Sequence, residues 1–254
     1  MSFIKKWKEE FAELLSSPIL GIKNGLILEI SYKNMHNMSH RNTDVGPARI
    51  EYYKNGQIIH EGYCLNDKKH RPIEEGPAWI YYRYDGKIES EEYWVNGERH
   101  RPSEEGPARI SYNNNKISSE TYYINGNKYR PTEEGPTEIR YYEDGQIGSE
   151  TYWINNKLHR PTKEGPARIY YYKNGQIKSE GYFINDKLHR PTKEGPAIIR
   201  YYEDGQIQSE EYYVNGQYHR PIEEGPAVIN YRKKDRKMKT KYWVNGKRIY
   251  PNGC

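Results

Sequence analysis

The dipeptide Gly-Pro recurs at Gly46, Gly76, Gly106, Gly135, Gly165, Gly195 and Gly225, always 30 residues apart except for one interval of 29. A period sustained this far confines the chain to a repeat architecture, in which each unit is one supersecondary element that covers its apolar face against its neighbours. A representative unit, Gly165 to Glu194, reads GPARIYYYKNGQIKSEGYFINDKLHRPTKE. The period divides the chain into an N-terminal segment 1–18, a partial unit 19–45, six full units over 46–224 and a degenerate unit 225–254. The partial unit aligns with the second half of a full one and carries its own His40-Arg41.

Within a unit the signals are those of β-structure. A first strand is expected over Ala167 to Tyr172, then a Lys-Asn-Gly-Gln turn in which Asn174-Gly175 suits a two-residue hairpin loop. A second strand follows from Ile177 to Ile184, and a second turn at Asn185-Asp186, which reads Asn-Gly at Asn96, Asn125, Asn215 and Asn245. A short third strand, Leu188 to Arg190, stops at Pro191, and prolines bracket the polar loop before the next unit. The fold class is therefore an all-β repeat, an antiparallel meander with two to three short strands per unit. The first 18 residues differ. Phe3, Ile4, Trp7, Phe11, Leu14 and Leu15 lie on one helical stripe that ends before Pro18. This predicts an amphipathic helix that caps the open first edge of the sheet. The other reading is a helix that docks on a membrane surface or a partner, against which the charges of Lys5, Lys6 and Lys8 cancel those of Glu9, Glu10 and Glu13.

Composition narrows the function classes. Leu, Ile, Val and Phe total 42 of 254 residues, while Tyr occurs 27 times and Phe 3 times. That supply cannot fill the thick aliphatic core of an α/β enzyme of this length. It suits a thin sheet packed by tyrosine, and the recurring apolar positions argue against disorder. No apolar run approaches the ~20 residues of a membrane span, and Lys and Glu interrupt any secretory leader. Cys64 and Cys254 form no framework, which suits a reducing compartment. A cytoplasmic, non-secreted protein is expected.

Comparing units within the chain separates two faces. Ala167, Ile169 and Tyr171 match Ala48, Ile50, Tyr52 and Ala197, Ile199, Tyr201, whereas the interleaved positions vary: Arg168 is Trp79 in one unit and Glu138 in another. One face is fixed and packs; the other is available. A two-residue loop sets Ile169 opposite Glu180, so the fixed faces of both strands coincide. On the variable side an aromatic column, Trp94, Trp153, Phe183, Tyr213 and Trp243, joins Trp79 as a candidate binding face. The alternative is that these rings cover their own sheet.

The His-Arg pairs, among them His100-Arg101, His189-Arg190 and His219-Arg220, are a structural candidate. Equivalent histidines of two-stranded units sit ~10 Å apart, too far to share a zinc at ~2.1 Å, and a catalytic site is not built six times over. The fixed carboxylates Glu91, Glu180 and Glu210 need partners if half-buried. The register sets His189 diagonal to Glu180 and Arg190 beside Phe183. A Glu/His/Arg network stapling neighbouring units is therefore expected, and in the final unit all three become Thr240, Ile249 and Tyr250. No motif for phosphate, metal or nucleophilic chemistry occurs, so neither an enzyme nor a cofactor is expected.

Units such as Tyr201 to Ala227, YYEDGQIQSEEYYVNGQYHRPIEEGPA, resemble MORN-like repeats, specifically the long variant with an NGK-x-HR-x-x-GPA signature found in phage, bacterial and giant-virus proteins. The resemblance covers about residues 23 to 250. It implies an elongated, twisted, single-layer meander, and a role in scaffolding, dimerisation or lipid head-group binding. The unit is longer than the family's and carries Gly-Pro-Ala where the family has Gly-x-Gly, so no functional residue of the family maps onto a number here. A protein partner is implied, with lipid head groups as a second class and the oligomeric state left open. Richness in Asn, Ile, Lys and Tyr suits an AT-rich genome, and with it a viral or virion-associated protein.

The formal charge of +5 is unevenly placed. The last unit holds nine basic residues, including Arg232, Lys233, Lys234, Arg236, Lys237, Lys239 and Lys241, against one acid, Asp235, a net +8; residues 1–224 then carry −3. A broad nucleic-acid-binding face is not expected. The basic end is a candidate for membrane or acidic-surface association, or a charged edge that discourages aggregation.

Overall fold

A computed structural model of the chain describes residues 18–23 and 25–250. The expected N-terminal helix lies outside them. The chain divides into two compact units, 1–126 and 127–254, each a β-meander in which every main strand pairs antiparallel with the next.

In the first unit the strands are Ile19–Lys23, Leu26–Ser31, Arg49–Tyr52, Ile58–Gly62, Trp79–Tyr82, Ile88–Glu92, Arg109–Asn113 and Lys116–Thr121. In the second they are Glu138–Tyr141, Ile147–Thr151, Arg168–Tyr171, Ile177–Gly181, Ile198–Tyr201, Ile207–Glu211, Val228–Tyr231 and Met238–Val244. The partial unit is thus more than half a repeat: Ile19–Lys23 supplies its first strand, paired with Leu26–Ser31.

The expected register holds, with Ile169 opposite Glu180, but the loop that produces it differs. Tyr172 N–H donates to the Gln176 carbonyl and Gly175 N–H to that of Tyr172, so the loop has three residues, with Gly175 at φ 79°. A bulge beyond Tyr170 takes up the extra residue. The 29-residue interval has its origin here. In that unit Asn113 pairs directly with Lys116, leaving a two-residue loop of Asn114 (φ 49°) and Asn115 (φ 61°). Asparagine tolerates both positive angles that such a turn requires.

The second strand ends earlier than expected. Tyr182 donates its N–H to Ala197 of the next unit, and its carbonyl accepts from His189 N–H. The chain then enters a separate small hairpin, Phe183–Ile184 with Lys187–Leu188, instead of extending to a strand at Arg190. Asn185 (φ 50°) and Asp186 (φ 66°) turn it. The polar loop between the prolines is a 3-10 turn, Thr192–Glu194 in this unit.

The core follows the fixed column. Ala48, Ala78, Ala108, Ala167, Ala197 and Ala227 are fully buried. Ala167 is held between strands: its N–H donates to the Gly181 carbonyl and its own carbonyl accepts from Tyr152 N–H. Thr137 occupies the column in the odd unit, and its hydroxyl is satisfied by the backbone carbonyl and N–H of Trp153 at 3.1 and 3.0 Å.

Candidate interaction surface

The fixed residues join neighbouring repeats through separate contacts, not through one Glu/His/Arg network. Glu180 accepts from the Tyr201 hydroxyl at 2.7 Å, and the relation repeats as Tyr82 to Glu61 (3.1 Å), Tyr112 to Glu91 (2.5 Å), Tyr171 to Glu150 (2.8 Å) and Tyr231 to Glu210 (2.7 Å). The carboxylate reaches one strand further, to the next unit, because the diagonal His189 has turned away with the small hairpin. Burial, and next the charge and hydrogen bond of Glu61, push Tyr82 up to about 12; burial followed by the Glu210 bond does the same for Tyr231. The adjacent tyrosine of each Tyr-Tyr pair works in the other direction: Tyr172 donates to the Tyr201 carbonyl at 2.8 Å, and Tyr202 to that of Tyr231. The recurring Tyr-Tyr dipeptide carried this signal in the sequence.

The histidines bond the next unit's turn. Asn215 N–H donates to Nδ1 of His189 at 3.2 Å, Asn125 N–H to His100 at 3.2 Å and Asn245 N–H to His219 at 3.1 Å. The arginines brace the end of a strand against the Gly-Pro loop that opens the next unit. Arg190 lies over Tyr182, not beside Phe183, with its guanidinium carbon 3.9 Å from the ring centroid, and donates to the Pro196 carbonyl at 3.2 Å. Arg101 over Tyr93 (4.1 Å) and Arg220 over Tyr212 (3.9 Å) repeat it. Gly195 sits at φ 123°, and a Cβ there would stand 3.0 Å from Arg190 Nη1, so the glycine of Gly-Pro is demanded twice over.

The variable face is lined by different chemistry in each unit. Trp79 is buried (7% exposed) and is no free anchor. It stacks on His60 at 5.0 Å between centroids and fills the space above Gly62, where a Cβ would come within 2.2 Å of the indole. Burial holds His60 below its ordinary value; Glu51 opposes this, and Arg49 and Lys69 add to it. Trp94, Trp153, Phe183, Tyr213 and Trp243 are half-buried. Where a cation lies nearby, it seats on the ring: Lys69 over Trp79 and Trp94 (4.1 and 4.6 Å), Arg99 over Trp94 (4.8 Å), Lys128 over Trp153 (4.7 Å) and Arg168 over Phe183 (5.4 Å). In the later units Tyr218 takes that place, between Tyr213 (4.2 Å) and Trp243 (5.5 Å). Buried carboxylates complete the face. Glu92 meets Arg99 at 2.9 Å, Glu138 meets Lys128 and Arg140 at 2.7 Å each, and Glu211 pairs with Arg200. Glu138 is raised by burial, but its bonds to Lys128 and Arg140 win and hold it below the usual carboxylate range.

The basic residues Arg232, Lys233, Lys234, Arg236, Lys237, Lys239 and Lys241 are all exposed. Lys233 pairs with Asp204 at 3.1 Å, Arg232 and Lys237 approach Asp235 at 3.5 and 3.9 Å, and Arg236 donates to the Ile207 carbonyl. Lys239 and Lys241 stand opposite Asn230 and Val228, on the variable face. Cys64 is a buried thiol, pushed up to about 11 chiefly by burial. Among the described residues no group of three His, Cys, Asp or Glu side chains is placed to hold a metal ion, and no helix is long and apolar enough to cross a membrane.

A family model described as a MORN repeat variant matches residues 167–185 and 198–215. No curated protein matches the chain.

Proposed function

We propose that this MORN-like repeat protein is a non-catalytic scaffold that carries a protein partner on its variable face. The observation behind this reading is the division between the two faces. Tyr171, Glu180 and His189 hold repeats together through contacts that recur from unit to unit. The opposite positions change chemistry at each unit, from Trp79 to Arg109, Glu138 and Arg168. A surface needed only for folding has no reason to vary so widely on a constant backbone, and variable residues on a rigid scaffold are where recognition is placed. A cytoplasmic location and a virion-associated role fit the same reading.

A photoreactive amino acid at Tyr170, which is 44% exposed on the variable face, tests it in extract of the native source, with Lys173 in the hairpin loop as the comparison. One discrete protein adduct from position 170 and none from 173 is expected. Equal adducts, or none at 170, contradict the reading. A second reading, association with an acidic surface through the basic last unit, is favoured by the exposure of Arg232 to Lys241. Sedimentation with anionic vesicles tests it, and it fails if replacing Lys234 and Lys237 with Gln leaves binding unchanged.

A further inference from the structure

We propose that the variable face of the second compact unit, residues 127–254, binds an acidic polypeptide segment. This rests on the scaffold reading and names the chemistry of its partner.

Strand alternation sorts the charges of this unit. The variable-face strand positions hold five cations, Arg140, Arg168, Arg200, Lys239 and Lys241, against two carboxylates, Glu138 and Glu211, a net +3. The fixed face holds Glu150, Glu180 and Glu210, each engaged by a tyrosine hydroxyl. The exposed loops beside the sheet carry both signs, with Lys163 next to Glu164 and Lys193 next to Glu194. Both of its own carboxylates are buried and already paired, Glu138 with Lys128 and Arg140, Glu211 with Arg200. Lys239 and Lys241 are exposed and Arg168 half-buried, so the face presents cations outward.

Spacing and the rings select the partner. Arg140, Arg168 and Arg200 lie on successive first strands, two strands or ~10 Å apart across the sheet, and a polyproline II chain, with about three residues per turn and a rise of ~3.1 Å, returns every third side chain to one face at about that interval. A single-stranded nucleic acid needs open aromatic faces on which to stack. Here Trp153 and Phe183 are half-buried beneath Lys128 and Arg168, and the exposed ring of Tyr170 makes no series on which successive bases could stack. Carboxylates on an extended segment meet the cations without displacing them from the rings.

The test is fluorescence anisotropy of the full chain with a labelled peptide bearing Glu at every third position, beside the same peptide with Gln and an oligothymidylate of equal charge. Binding of the Glu peptide alone is expected, weakening between about 0.05 and about 0.3 M salt as screening grows. The variant Arg168→Gln/Lys239→Gln/Lys241→Gln, which spares every paired cation, should weaken it about tenfold. Lys163→Gln/Lys173→Gln/Lys193→Gln removes the same charge from exposed loops and should leave it within about twofold. Equal loss in both variants, no binding of the Glu peptide, or tighter binding of the oligothymidylate overturns the inference. An adduct at Tyr170 with no affinity for the Glu peptide removes this inference and leaves the scaffold; loss of both removes the scaffold as well.

Discussion

Arg190 lies over the ring of Tyr182, its guanidinium carbon 3.9 Å from the centroid, while its Nη1 donates to the carbonyl of Pro196 six residues on. One side chain thereby ties the end of a strand to the loop that opens the next repeat. A lysine keeps the charge but loses the planar fork that does both at once. Arg190→Lys should cost about 1–2 kcal/mol, by loss of the ring contact and a half-buried hydrogen bond. Urea denaturation of the full chain checks it, and an unchanged midpoint contradicts the assignment.

Gly195 stands under that guanidinium at φ 123°. An alanine there is strained in its backbone and crowds Arg190 Nη1 at 3.0 Å. Gly195→Ala should destabilise by about 2 kcal/mol or more. The double variant with Arg190→Ala should relieve only the crowding, so a double-mutant cycle separates steric from backbone cost.

Tyrosine couples the fold to alkaline pH. Tyr82 and Tyr231 are raised from 10.0 to about 12 in the folded chain. Below pH 10 their contribution is fully present. Between 10 and about 12 the unfolded chain gives up these protons first, so stability falls as pH rises and the contribution is gone once the folded tyrosines ionise. Melting temperature should decline through that window, and Tyr82→Phe/Tyr231→Phe should flatten the decline while lowering stability at neutral pH. A slope unaltered by the double variant rules the coupling out.

Trp79 occupies the space that Gly62 leaves, within 2.2 Å of where a Cβ would stand. Gly62→Ala should therefore overpack and cost about 1–3 kcal/mol, and Trp79→Val in the same chain should recover most of it. If Gly62→Ala is neutral in calorimetry, the indole does not rest there.

Much of this arrangement was legible in the sequence, and the misses have physical reasons. The register of Ile169 against Glu180 follows from period two and the Asn-Gly turn, and it survives although the loop has three residues, because the bulge beyond Tyr170 restores the alternation. The break at Tyr182 was not legible, since the strand pattern continues unbroken to Ile184 and only the bond from Tyr182 N–H to Ala197 diverts it. That diversion carries His189 off to Asn215 and leaves Glu180 to Tyr201. The column of recurring residues was visible, but which member meets which depends on a contact between units that local periodicity does not encode. Trp79 looked like an anchor because it varies; its burial comes from Gly62 on the neighbouring strand, a pairing that a single column does not show.

The central claim is that fixed residues hold the array while exposed cations of the variable face do not contribute to holding it. Thermal unfolding of two triple variants tests it most directly: Tyr171→Phe/Tyr201→Phe/Tyr231→Phe, which removes three hydroxyl bonds to Glu150, Glu180 and Glu210, and Arg168→Gln/Lys239→Gln/Lys241→Gln on the variable face. The first should lower Tm by about 5 °C or more and the second by no more than about 1 °C. Equal losses, or a larger loss from the variable-face variant, would contradict the account.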